Sequence, residues 1–263
     1  MADPGKPKRV IRGQLDAGKL AAATKVFIAT PAYGSSFSGE YVRSLFMLLS
    51  SRPARPVEHM FAFFDYADIV ISRNYLISQF YYQYPAYSHI LFVDADTGYD
   101  PAMITEMMEL DEPLVGAVYP KRHVDLRKLH AAKDMPFEKA LANSVEFVGE
   151  VRKPVERRGS FVSVAYCGTG VMLISRDCIS RMIATLPEIV DTRRFKRLPF
   201  GHRFERFLTP FDKIRTEAFE LSEDLSFCRR WVEGCAGKIW AHTGRNIRHV
   251  GELVVSSRFS DRE

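Results

Sequence analysis

Four short apolar runs alternate with three amphipathic stretches between residues 25 and 119, and few folds accommodate that rhythm. The runs are KVFIAT (25–30), VEHMFAFF (57–64), HILFV (89–93) and PLVGAVY (113–119). Their continuous apolar character suits strands buried on both faces, as in parallel sheets. Between them, SGEYVRSLFMLLS (38–50), DIVISRNYLISQFYY (68–82) and PAMITEMMEL (101–110) have helical spacing. Ser38 is a candidate N-cap, and Pro101 fits a first helical turn. The alternation predicts an α/β fold with a doubly wound, mostly parallel central sheet flanked by helices.

The second half is less regular. FVSVAY (161–166) and GVMLIS (170–175) read as strands on either side of the turn CGTG (167–170). RDCISRMIATL and SEDLSFCRRWVEGC (222–235) read as helices, the latter capped by Ser222, and KIWAH (238–242) as a strand. Residues 1–23 read as a partly disordered leader, 24–255 as one domain and 256–263 as a tail. Within the leader, GQLDAGKL (13–20) approaches the phosphate-cradling G-x-x-x-x-G-K-[ST] loop. It places Leu20 where a hydroxyl is required and has no buried strand before it, so a solvated leader is the better reading.

No run of apolar residues is long enough to span a bilayer, and the N-terminus lacks the apolar core of a secretory signal. The four cysteines form no C-x-x-C pair and read as reduced thiols. A cytoplasmic protein, or one peripheral to a membrane, is expected. The balance of 37 basic and 32 acidic residues, net +5, suits an anionic ligand without arguing for nucleic acid.

The chemistry concentrates where HILFV runs into Asp94 and, two residues on, Asp96. Carboxylates resist burial unless a charge or donor meets them. In α/β sheets, ligands bind at the carboxyl ends of the strands, where these two stand. In an extended segment their spacing puts both on one side, with Ala95 pointing away. Hard oxygen ligands suit Mg²⁺ or Mn²⁺, ions that bind through one or two carboxylates plus substrate phosphates. The pattern therefore suggests a metal-bridged diphosphate. The plainer alternative is a turn, since DADTGYDP is rich in turn residues. Aspartate-nucleophile phosphatases also open on D-x-D, but Thr97 follows the second Asp by one position rather than two, and two strand–helix units precede it.

Several motifs in order resemble the GT-A glycosyltransferases, the nucleotide-diphospho-sugar transferase superfamily. VFIATPAYG (26–34) is similar to the first-strand segment against the nucleoside, and ADIVISRNYL (67–76) to a D-x-x-x-x-R-N helix. FVDADTGYDP resembles the D-x-D metal motif, and YCGTGVMLISR (166–176) the glycine loop beside donor and acceptor sugars. SEDLSFCRRW (222–231) is similar to the inverting-type E-D helix, and IRHVGE (247–252) to a C-terminal H-x-G segment. The resemblance covers about residues 25–252. It implies a nucleotide-binding half, 24–120, and an acceptor half, 121–255. Processive synthases of this fold carry Q-x-x-R-W. Arg230 and Trp231 are present here, but Phe227 holds the Q position, which favours a single transfer.

The implied activity is metal-dependent transfer of one sugar from a nucleoside diphosphate sugar, UDP-linked by family frequency, to a glycan, lipid-linked or other hydroxyl acceptor. The implied donor-site residues are Thr30, Pro31, Ala32, Tyr33, Asp68, Arg73, Asn74, Asp94, Ala95, Asp96, Lys121, Gly168, Thr169 and Gly170. Mn²⁺ or Mg²⁺ would be held by Asp96, with Asp94 and His249; His242 competes with His249. Asp224 is the candidate general base, with Glu223 as its neighbour and fallback.

Plainer roles stand beside these. Arg73 could instead make a salt bridge, Asp68 and Asp224 could serve helix N-termini, and the glycines could form a tight hairpin. Lys121 and Arg122 could be plain surface charge. Residues 191–215, where arginines and phenylalanines interleave, read as a lid, as an anionic-acceptor or nucleic-acid contact, or as a basic surface whose Phe residues pack down. Two further functions remain open: a sugar nucleotidyltransferase, and an inactive glycan- or nucleic-acid-binding protein on the same scaffold. TPAYGSSFSGE lacks the basic residues a nucleotidyltransferase loop needs.

Overall fold

The structure, a computed structural model, describes residues 23–251. Residues 1–22, with the GQLDAGKL segment, and residues 252–263, with the end of the expected domain and the tail, lie outside the described residues. The first half comprises β1 (Thr24–Pro31), α1 (Gly39–Ser50), β2 (Val57–Phe64), α2 (Ile69–Gln83), β3 (His89–Val93), β4 (Thr97–Gly98), α3 (Pro101–Leu110) and β5 (Leu114–Ala117). There follow β6 (Tyr119–Val124), α4 (Leu126–Ala131), α5 (Phe137–Asn143), β7 (Val145–Val151), β8 (Arg157–Arg158), β9 (Phe161–Cys167), β10 (Val171–Ser175) and α6 (Arg176–Thr185). The last elements are β11 (Val190–Asp191), β12 (Phe207–Leu208), α7 (Glu223–Arg229), β13 (Ile239–His242) and β14 (Arg248–His249).

The main sheet has ten strands, in the order β2-β1-β3-β10-β5-β13-β9-β7-β6 with β8 beside β9. β2, β1 and β3 are mutually parallel, as are β5 and β13, and β10 runs antiparallel between β3 and β5. Five of the six strands from β2 to β13 thus share one direction, giving the mostly parallel α/β sheet that the alternation predicts. The reversed pairings continue through β9, β7 and β6.

Both faces of the sheet are covered at its central strands, which is why β1, β3 and β5 read as unbroken apolar runs, while β2 at the edge is only partly buried. In β1, Phe27 and Ala29 face one core with Tyr75, Leu76 and Phe80 of α2 and Phe227 of α7. Val26 and Ile28 face the other with Tyr41 and Leu48 of α1 and Met103 and Ile104 of α3. The helices start where capping chemistry places them: the side chains of Ser38, Asp68, Asp100 and Ser222 accept backbone N–H bonds at four N-termini. Arg176 closes the other end of α2, donating to the carbonyls of Phe80, Tyr81, Tyr84 and Tyr87 at 2.7–3.0 Å.

Three expectations change. PLVGAVY is two strands: β5 ends at Ala117, and β6 leaves to pair with β7. CGTG is not a hairpin turn, because β5 and β13 lie between β9 and β10 in the sheet. The helix from Ser222 is α-helical only to Arg229 and continues as a π-turn over Arg230–Gly234.

Candidate functional site

A cleft of about 630 Å³ opens at the carboxyl ends of β1 and β3. The chain enters it because β3 stops at Val93 and turns: the Thr97 amide donates to the Asp94 carbonyl at 3.0 Å. DADT is therefore a turn rather than the extended segment expected from the spacing. It still delivers both carboxylates to one place, since Asp94, Ala95 and Asp96 all line the cleft. Pro31, Tyr33, Tyr66, Arg73, Arg122 and His249 complete much of the wall.

Arg73 is the buried hub. Its Nη2 donates to both oxygens of Asp94, at 3.0 and 3.3 Å, and its Nη1 to Glu223 at 2.5 Å. One guanidinium thus joins the end of β3 to the N-terminus of α7, whose Glu223 is 150 residues from Arg73 in the chain. Burial opposes its charge, but Asp94, Glu223 and Asp224 together outweigh that and hold its pKa above the ordinary arginine value. The fork geometry suits arginine and not lysine.

Asp96 has different partners. Arg122 donates to Oδ2 at 2.9 Å, and His249 Nε2 lies 3.5 Å from Oδ1. Burial would raise the Asp96 pKa, but His249 and Arg122 outweigh it and hold the carboxyl below its ordinary value. Burial would likewise lower that of His249, whereas Asp96 and the Pro120 carbonyl, 2.9 Å from Nδ1, hold it above its ordinary value. The short ladder between β14 and β4 brings His249 here, pairing it with Thr97 beside Asp96.

Beneath these groups lies Tyr119, which sequence reasoning missed. Its ring meets His249 edge-on at 5.5 Å between centroids, and its hydroxyl accepts from the Gly170 amide at 3.1 Å. Burial, with Asp94 adding to it, pushes its pKa up. The glycines exist for this ring: a Cβ on Gly168 would stand 2.2 Å from Tyr119 Oη, and one on Gly170 2.7 Å from Cζ. Thr169 between them is fully buried. The loop packs beneath the site, and the Gly170 carbonyl accepts from the Asp94 amide at 3.1 Å.

Other expected residues sit around rather than in the cleft. Thr30 is buried and bonded to the Tyr41 hydroxyl at 2.6 Å, and Ala32 is buried. Asp68 caps α2 through the Ile71 amide at 3.1 Å. Asn74 donates to Asp212 at 2.8 Å and accepts from the Phe211 amide at 3.1 Å, so both ends of its amide are taken up internally. Lys121 pairs with Glu146 at 2.7 Å on the exposed side of β6, and it is Arg122 of that pair that lines the cleft. His242 is buried against Glu106, 2.6 Å away, and its other nitrogen accepts from the Gly244 amide at 3.1 Å. Asp224 bonds Ser222 and accepts from the Leu225 amide at 2.8 Å, both through Oδ1.

In the segment 191–215, Phe195, Phe200, Phe204, Phe207 and Phe211 are all buried. Asp191 collects the amides of Arg193, Arg194 and Phe195 at 2.9–3.0 Å, and Arg230 donates to the carbonyls of Pro210 and Asp212. The geometry is that of a basic surface whose phenylalanines pack down.

No family model matches the chain, and no curated protein matches it. Among solved structures, the crystal structure of A197 from STIV aligns with a TM-score of 0.46 at 13% identity over 87% of each chain. A glycosyltransferase involved in the glycosylation of the major capsid of PBCV-1 aligns with a TM-score of 0.31 at 12% identity, over 68% of this chain and 72% of that one. Likenesses this distant carry no functional argument, which rests on the residues of the cleft.

Proposed function

We propose that the protein is a glycosyltransferase that binds a nucleoside diphosphate sugar in the cleft at Asp94 and Asp96 and transfers one sugar to a hydroxyl acceptor. The observation that carries this reading is the pairing around Asp96. His249 Nδ1 faces the Pro120 carbonyl at 2.9 Å, so the neutral ring donates there and leaves the Nε2 lone pair facing Asp96 Oδ1 at 3.5 Å. Two acceptors turned toward each other call for a proton or a cation, and a carbonyl-oriented imidazole is the usual form of a metal-ligating histidine. Asp96 and His249 would hold Mn²⁺ or Mg²⁺ together with oxygens of the diphosphate, as such ions are bound through one or two protein groups plus substrate phosphates; among the described residues no group of three His, Cys, Asp or Glu converges. Such an ion supplies charge neutralisation for the departing diphosphate.

The protein's own groups divide the remaining work. Arg122, 58% exposed in its side chain, is free to move from Asp96 to a phosphate oxygen. Tyr33, 72% exposed at the cleft mouth, offers a ring face to a base. Arg73 spends both Nη groups on Asp94 and Glu223 and fixes them, while its buried Nε has no partner. Of the two acids at the start of α7, Asp224 uses only Oδ1 in its local bonds, which leaves Oδ2 to accept the acceptor's proton in an inverting displacement. Glu223 is tied to Arg73 and positions the helix. A UDP-linked donor is the first candidate.

Calorimetric titration with UDP and with GDP, each with Mn²⁺ and with EDTA, tests the donor site. We expect metal-dependent binding of one nucleotide, lost in Asp96→Ala and weakened in His249→Ala. Binding unaffected by EDTA, or unchanged in Asp96→Ala, would refute the metal assignment. Asp224→Asn should retain binding and slow transfer by about 10²–10⁴-fold.

A further inference from the structure

We propose that the outer face of α1 docks the protein onto an anionic phospholipid surface. The helix is apolar on two sides. Its inner side, with Tyr41, Ser44 and Leu48, is buried against the sheet. Its outer side exposes Val42 (37%), Phe46 (66%), Met47 (50%) and Leu49 (45%). Val42, Phe46 and Leu49 follow the i, i+4, i+7 spacing that lines one helical face.

Basic groups predominate around this face. Arg43, Arg52 and Arg55 are exposed and have no acidic partner among the described residues. The one acid of α1, Glu40, lies 3.3 Å from Arg248. Exposed aromatic and aliphatic groups beside unpaired arginines match a bilayer surface, which offers apolar depth and anionic phosphates together. A protein partner would need an apolar patch ringed by acids, and a second copy of this helix would set arginine against arginine.

A polar cleft of about 460 Å³ adjoins the same helix, where Asp100 and Glu40 engage Arg245 and Arg248 and leave Arg43 as the arginine of the wall without an acidic partner among the described residues. The segment 193–206 makes an instructive contrast. It is richer in arginine and phenylalanine, but its phenylalanines are turned inward, so it offers charge without insertion. The docking reading does not depend on the proposed activity. It would bring the donor cleft to the membrane, because Phe37 and Ser38, just before α1, line that cleft.

The four native cysteines are buried, so the full chain carrying Phe46→Cys can be labelled with an environment-sensitive thiol dye at that site. With phosphatidylglycerol/phosphatidylcholine vesicles we expect a blue shift and increased emission, absent with pure phosphatidylcholine. In flotation of unlabelled protein, Phe46→Ser with Leu49→Ser should weaken association, and Arg52→Ala with Arg55→Ala should weaken it on the order of tenfold. Lys196→Ala with Arg197→Ala should leave it unchanged. Flotation without a dye shift would move binding to another surface and overturn the proposal. So would a dye already shielded without vesicles, a dimer abolished by Phe46→Ser, or no flotation at all. Nucleotide titration of the same variants should be unaltered, which separates failure of this proposal from failure of the donor-site reading.

Discussion

Replacing Arg73 separates the two arginines of the cleft. The Arg73 side chain is 5% exposed, and its partners Asp94 and Glu223 are 24% and 15% exposed. Arg73→Ala removes three hydrogen bonds and leaves two largely buried carboxylates facing each other without a cation. Breaking a buried pair by deleting one partner costs about 3–5 kcal/mol. The partial exposure of Asp94 argues for the lower end, about 3 kcal/mol, or more than a hundredfold in the folding equilibrium. Arg73→Lys keeps the charge but cannot fork to two carboxylates, and should cost about half as much. Arg122→Ala is the control, because its pair with Asp96 is 58% and 32% exposed and is worth at most about 1 kcal/mol. Urea denaturation of the three variants without nucleotide gives the comparison. Nucleotide titration then asks whether Arg122→Ala, nearly neutral for stability, weakens binding. A loss below about 1 kcal/mol for Arg73→Ala, or equal losses for Arg73 and Arg122, would refute the assignment of Arg73 as the structural link and Arg122 as the mobile one.

Other predictions test how the surroundings are held. Asp191→Ala orphans the amides of Arg193, Arg194 and Phe195 and should cost about 1–3 kcal/mol in urea denaturation. Although burial works against its charge, those three amides and Arg194 hold the Asp191 carboxyl below the ordinary value of 3.8. Its stabilisation is therefore complete above that value and is lost as pH falls through the lower folded-state value, so the variant and the parent should converge in strong acid. Gly168→Ala should cost about 1–3 kcal/mol by colliding with the Tyr119 hydroxyl, and Tyr119→Phe in the same chain should recover part of it. Additive losses in that double-mutant cycle would contradict the packing account. Arg176→Ala removes donors from four carbonyls at the end of α2 and its stacking on Phe80 and Tyr81, and should cost about 2–4 kcal/mol. Hydrogen exchange should show fraying at the C-terminal end of α2, whereas unchanged protection there would refute the capping role.

Local chemistry wrote most of the first half into the sequence. The runs that became β1 and β3 are apolar because both faces of their sheet are covered, and that continuous pattern is readable without coordinates, whereas β2, at the sheet edge, is only partly buried. Ser38, Asp68, Pro101 and Ser222 mark helix starts because capping involves residues only two or three positions apart. The same local logic made Asp94 and Asp96 conspicuous: a carboxylate at the end of a buried strand needs an explanation wherever the chain goes next. What depended on distant partners was not legible. Nothing in the local sequence says that Arg73 reaches Glu223, that Asn74 is spent on Phe211 and Asp212, or that His249 rather than His242 comes to Asp96. Nor does it show that two glycines make room for Tyr119, or that β10 inserts between β3 and β5. The interleaved phenylalanines of 195–211 and the apolar residues of α1 look alike as composition, yet the first group is buried and part of the second faces solvent. Composition and spacing fix which residues can share a face. Which face meets water, and which charge meets which, is decided only when segments far apart in the chain are packed together, because burial and ion pairing are properties of the assembled surfaces.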